Sequence, residues 1–256
     1  MRERCNVNPV LTELLETGTA VSESGTVHKV RSHITTDEGQ FLERLVSNLK
    51  PAVSLEVGLA YGVSTLFICK GLEGVDKPRH IVIDPNQYRS TPLQEESFEG
   101  IGLLNLRKAG YERMIEFHDA PSYLALPLLV KNGVKLDFAF IDGWHTFDFA
   151  SVDFFYVDLL LRPGGIVVID DTDFPSVWKL SRYIVRNRAY KVVDCLPVAD
   201  VSTRHPLRWL HRNGTRRIRR AWYKLTYDDG LLPYSRCIAF KKEAEDTRTW
   251  DFHHDF

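Results

Sequence analysis

The feature that most constrains this chain is a series of short apolar runs that alternate with helix-like segments and end in carboxylates. AVSLEVG (52–58), HIVID (80–84), MIEFH (114–118), LDFAFID (136–142) and GIVVID (165–170) carry little polar alternation. A strand of that kind is buried on both faces, which a parallel sheet covered by helices requires. Between them, helical spacing predicts helices over about 36–50, Val63–Lys70, Ser97–Ala109, Tyr123–Lys131, Phe147–Leu161 and Ser176–Arg186. Thr35 and Glu38 offer a capping box for the first, and Pro51 stops it. The predicted fold class is α/β: a Rossmann-like, open, doubly wound sheet with helices on both faces. YKVVDCLP (190–197) and RCIAFKK (236–242) complete the strands, the last of them antiparallel, with no convincing crossover helix between them.

Ligands of such sheets bind beyond the carboxyl ends of the strands. Those ends carry Glu56, Asp84, Asp119, Asp142, Asp170 and Asp171. Aspartate also caps helices and starts turns, so each one alone has a structural explanation. Five consecutive strands ending this way exceeds what a polar rim requires. After Glu56, Gly58 and Gly62 let backbone approach a ligand closely, and Tyr61 lies between them. Gly62-Val63-Ser64 then opens a helix whose free N–H groups suit a carboxylate. An acid at the second strand end can accept from both hydroxyls of a ribose. The glycine spacing is G-x-x-x-G, not the G-x-G-x-x-G of a pyrophosphate site. A ligand with a carboxylate, an amine and a ribose fits it better than a dinucleotide.

The run SLEVGLAYGVST, the IDPNQ after the second strand, IDGWHTF after the fourth and LLLRPGGIVVIDDT together resemble a class I S-adenosylmethionine-dependent methyltransferase. More narrowly they resemble the bacterial methyltransferase family 24 group, related to catechol and macrocin O-methyltransferases. The resemblance covers roughly residues 33–187. It implies that Gly58 and Ser64 hold the methionine part of the cofactor, with Glu56 beside its amine and Tyr61 and Gly62 among the other cofactor-binding residues. It further implies that Asp84 binds the ribose and that Asp119 and Ala120 line the adenine. Asp142, Asp170 and Asp171 match divalent-metal ligands, for Mg²⁺ or Mn²⁺, in the catechol enzymes; aspartate stands where asparagine is common at the third. In relatives without a metal, Asp142 contacts the cofactor instead. His145 lies three residues after Asp142, where the catechol enzymes carry a lysine base, and an imidazole accepts a hydroxyl proton near neutral pH. The implied function is O-methylation of a small-molecule or glycosyl hydroxyl. Another Rossmann-type enzyme (a nicotinamide-dependent oxidoreductase or a hydroxylase) and a non-catalytic cofactor-binding protein are the alternatives.

Residues 203–224 carry eight Lys/Arg and no Asp or Glu, inside an insert spanning 198–235. Three readings stay open for it: a solvated helix, a lid over an anionic small-molecule substrate, and an amphipathic helix on an anionic membrane. No nucleic-acid-binding motif accompanies it, and the whole-chain net charge is −1, which disfavours nucleic acid as a partner. Residues 1–35 form an N-terminal extension, 36–242 the catalytic domain and 243–256 a tail. The four cysteines form no CxxC pair, and the N-terminus does not read as a signal peptide. The expected setting is cytoplasmic, and a homo-oligomer is compatible with the chain.

Overall fold

The computed structural model describes residues 8–31, 33–92, 94, 96–198, 206–227 and 229–256, with the side chains of 206–213 outside that description. The chain divides into two compact units, one ending at Phe138 and the other starting at Ala139. Among the described residues the main sheet has seven strands in the order β5-β4-β3-β6-β7-β9-β8.

The first unit opens with helix α1 (Pro9–Thr17) and a short antiparallel hairpin, β1 (Thr19–Val21) and β2 (Val27–Lys29). Helix α2 (Thr36–Leu49) begins at the predicted capping box, with both reciprocal bonds between Thr35 and Glu38 formed. It buries Phe41, Leu42, Leu45 and Val46 on one face. Strand β3 (Val53–Val57), helix α3 (Val63–Gly71), β4 (Arg79–Ile83), α4 (Ile101–Lys108), β5 (Ile115–His118) and α5 (Ser122–Lys131) follow, and β6 (Leu136–Ile141) straddles the boundary between the units. β3, β4 and β5 pair in parallel, with Val57 opposite Ile83 and Ile83 opposite His118. That register brings Gly58, Asp84 and Asp119 to the same carboxyl edge, and Gly58 N–H donates to the Ile83 carbonyl at 2.9 Å.

The second unit holds α6 (Phe147–Leu160), β7 (Leu161–Ile169), α7 (Pro175–Asn187), β8 (Tyr190–Pro197), α8 (Pro206–Thr226) and β9 (Ser235–Lys242). β9 runs antiparallel between β7 and β8. Phe154, Phe240, Val167, Val168 and Ile184 are fully buried here. Each such side chain contributes about 1.5–3 kcal/mol of burial energy.

The open, mostly parallel sheet and its antiparallel strand agree with the sequence reading, and two details differ. The helix expected from Ser97 starts at Ile101, because Phe98 and Gly100 N–H groups are held by the Asn86 and Gln87 carbonyls and Gly100 is left-handed at φ 70°. The strand expected from Gly165 starts earlier, at Leu161, since β7 runs straight out of α6. The stretch between the last two strands contains the 21-residue helix α8, which links two neighbouring antiparallel strands and so is not a crossover.

Candidate active site

In the first unit the G-x-x-x-G loop is shaped by three left-handed residues: Gly58 (φ 97°), Ala60 (φ 47°) and Gly62 (φ 83°). Asp84 holds this loop. Its Oδ2 accepts from the N–H groups of Leu59 (3.1 Å) and Ala60 (2.9 Å) and from the Gln87 amide (3.1 Å), and its Oδ1 accepts from Asn86 N–H at 2.7 Å. The loop ends at Gly62, the N-cap of α3, where no side chain caps the helix. Its first N–H groups are therefore left for an anion. Tyr61 is buried edge-on against Phe98 at 5.2 Å, and burial pushes its phenol above the usual tyrosine range.

Glu56 sits behind the loop and is fully buried. Its carboxylate accepts from the Ser64 hydroxyl, from Thr65 Oγ1 at 2.6 Å, and meets His80 Nε2 at 3.1 Å. His80 Nδ1 in turn meets Ser54 Oγ at 2.8 Å. Glu56 thus anchors the first turn of α3 from inside the core. Asp119 is half-buried and pairs with Arg89 at 3.1 Å; Ala120, beside it, is half-buried and donates its N–H to the His118 carbonyl.

In the second unit, Asp170 N–H donates to the Ile141 carbonyl at 3.1 Å, which sets the ends of β6 and β7 level. His145 Nε2 lies 3.1 Å from Asp171 Oδ2 and 3.8 Å from Asp142 Oδ1. Arg236, at the start of β9, reaches Asp171 Oδ1 at 2.6 Å. Ser176 Oγ donates to the His145 carbonyl at 2.6 Å, and Phe174 meets the imidazole edge-on at 5.7 Å. Burial pushes the His145 imidazole below its ordinary pKa; the Asp171 carboxylate opposes this and the Arg236 guanidinium adds to it.

Asp142, His145 and Asp171 offer ligand atoms within 4.8 Å of one another, so they can share one ion. Asp170, the second of the metal ligands that the resemblance implied, meets a neighbour from β9. It is buried and accepts from Cys237 Sγ of β9 at 2.9 Å. Successive residues at a strand end point to opposite sides. Asp171 reaches His145 from a left-handed backbone at φ 51°, a conformation that aspartate tolerates. Arg236 and His80 escaped the sequence reading. Neither belongs to a motif, and strand pairing alone brings them to Asp171 and Glu56.

A glycine-shaped loop between a first strand and an uncapped helix, in a sheet of this order, defines a Rossmann-like class I methyltransferase fold. Residues 55–172 match the family described as a methyltransferase domain. The chain is 30% identical over 141 residues to the caffeoyl-CoA O-methyltransferase of Mesembryanthemum crystallinum, covering 54% of this chain and 50% of that protein. The same identity over 141 residues relates it to caffeoyl-CoA O-methyltransferase 2 of Eucalyptus globulus, covering 54% and 52%. The chain spans about half the length of these relatives. The fold is shared with an O-methyltransferase from Bacillus cereus solved with SAH (TM-score 0.54, 16% identity, 91% and 90% of the chains). It is also shared with an O-methyltransferase of Streptomyces achromogenes involved in tomaymycin synthesis, solved with SAM (TM-score 0.53, 17% identity, 92% and 90%).

Proposed function

We propose that this protein is an S-adenosylmethionine-dependent O-methyltransferase that acts on a small-molecule hydroxyl, with His145 as base. The observation that carries the reading is the chain His145–Asp171–Arg236. One oxygen of Asp171 faces the imidazole at 3.1 Å while Arg236 fixes the other at 2.6 Å. A neutral imidazole that donates Nε2–H to Asp171 keeps its lone pair on Nδ1, ready for a hydroxyl proton.

When bound, S-adenosylmethionine supplies a methyl group activated by its sulfonium. The residues of the first unit fit it. The uncapped N-terminus of α3 suits the amino-acid carboxylate, and the turns at Gly58 and Gly62 keep side chains out of its way. Glu56 acts as a positioning residue through Ser64. Asp84 shapes the loop and keeps lone pairs for the ribose hydroxyls, and Asp119 with Ala120 borders the adenine. Asp142 and Asp171 are the residues that would hold Mg²⁺ or Mn²⁺, an ion that lowers the pKa of a hydroxyl it binds. Exposed apolar surface on Trp144 and Phe174 beside the base suits the apolar body of the acceptor.

Transfer of labelled methyl from S-adenosylmethionine to a panel of small hydroxyl compounds tests this reading. Binding of NAD in place of S-adenosylhomocysteine in calorimetry would overturn it. Chelator is expected to lower turnover, with Mn²⁺ or Mg²⁺ restoring it. Full turnover in chelator would remove the ion and leave the base. Gly102→Ala tests the loop: the added Cβ would lie 2.5 Å from the Ala60 carbonyl oxygen and 2.9 Å from Leu59 Cγ. Overpacking of this kind costs about 1–3 kcal/mol. S-adenosylhomocysteine affinity is expected to fall about tenfold or more, and unchanged affinity would show that the loop does not hold the cofactor.

A further inference from the structure

Helix α8 is inverted relative to an ordinary surface helix. Its inner side carries Tyr223, which is buried, lies edge-on to Trp178 at 5.5 Å and donates its hydroxyl to Asp229 at 2.7 Å. On the same side Arg220 donates to the carbonyls of Pro233 (2.9 Å) and Tyr234 (2.8 Å). The outer side carries Ile218, Trp222 and Leu225, which are 70%, 61% and 87% exposed. Their spacing of four and then three residues aligns them in one stripe. Arg217 and Lys224, both exposed, flank one edge of that stripe, and exposed Arg219 flanks the other. The helix sequence holds seven Lys/Arg and no Asp or Glu. Arg204 lies outside the described residues, as do the side chains of Arg208, Trp209, Leu210 and Arg212.

We propose that α8 docks flat on an anionic lipid bilayer. Ile218, Trp222 and Leu225 enter the headgroup region, and Arg217, Arg219 and Lys224 meet lipid phosphates. Charge complementarity selects this occupant. An RNA would leave the apolar centre of the stripe unmatched, because phosphate contacts use cations. A second copy packed on the same stripe would set Arg217 and Lys224 against like charges, with no acid on the helix to meet them. Apolar surface with cations at its edges is the pattern of a helix lying in the membrane interface. Among the described residues no helix is long and apolar enough to cross a membrane, so α8 would lie on the surface and not span it.

Co-sedimentation of the full chain with vesicles at low salt tests the proposal. Binding is expected to vesicles of equal parts phosphatidylcholine and phosphatidylglycerol, and not to phosphatidylcholine alone. Trp222→Asp with Leu225→Asp is expected to weaken it about tenfold or more. Arg217→Gln and Lys224→Gln are each expected to weaken it about fivefold, while Trp222→Phe retains it. These side chains are exposed, so thermal melts of the variants are expected to match the parent. Absence of binding to the mixed vesicles would overturn the proposal. So would aspartate variants that bind like the parent, RNA that displaces the vesicles through the same residues, or aspartate variants that dissociate an oligomer of the free protein.

Discussion

Replacing His145 with alanine is expected to lower kcat by about 10²–10⁴-fold, the usual worth of a positioned general base, while S-adenosylhomocysteine binding stays near its parental value. Unchanged binding separates base loss from cofactor loss, because His145 belongs to the acidic cluster and not to the glycine loop. The pH profile gives an independent sign. Burial and Arg236 hold the imidazole below its ordinary value of 6.5, so its neutral, base-competent form persists to lower pH than for a free histidine. Activity of the parent is therefore expected to rise with pH through an acid limb below that value and to be level at neutrality. Arg236→Gln removes a positive neighbour that disfavours the imidazolium, so the limb is expected to move toward higher pH. A limb unmoved by Arg236→Gln, or retained in His145→Ala, would assign the titration to another group.

That arrangement was only half legible in the sequence. The strands were visible because both of their faces are buried, which leaves runs such as LDFAFI without polar alternation. Helix α2 was visible because Thr35 and Glu38 announce its start locally. The hairpin β1–β2 was not, since strands of three residues leave too short a pattern to read. Asp142, Asp170 and Asp171, with His145 three residues after the first, could be found at the strand ends, whereas the contact of Asp170 with Cys237 depends on which way its side chain leaves the strand. Arg236 is 65 residues from Asp171 in sequence, and only the pairing of β9 with β7 delivers it. α8 lacked the acids that usually mark the solvent face of a helix, so its period was hidden among arginines.

The largest stability effect is expected at Glu56. Its carboxylate is fully buried and holds three side chains at once: Ser64, Thr65 and His80. Glu56→Ala leaves all three without that acceptor in a dry interior and opens a cavity beside α3. Removing one member of a buried, hydrogen-bonded charged cluster costs about 3–5 kcal/mol, a large share of the roughly 5–15 kcal/mol by which a domain is stable. The denaturation midpoint of Glu56→Ala is therefore expected to drop steeply. Glu56→Gln, which keeps the shape and one strong acceptor, is expected to lose much less. Where both variants remain folded, S-adenosylhomocysteine affinity distinguishes a scaffold from a positioning role. If Glu56 sets the first turn of α3 through Ser64, Glu56→Gln weakens binding by more than its small loss of stability accounts for. If affinity follows stability alone, Glu56 is a core residue and the cofactor is held by the loop without it.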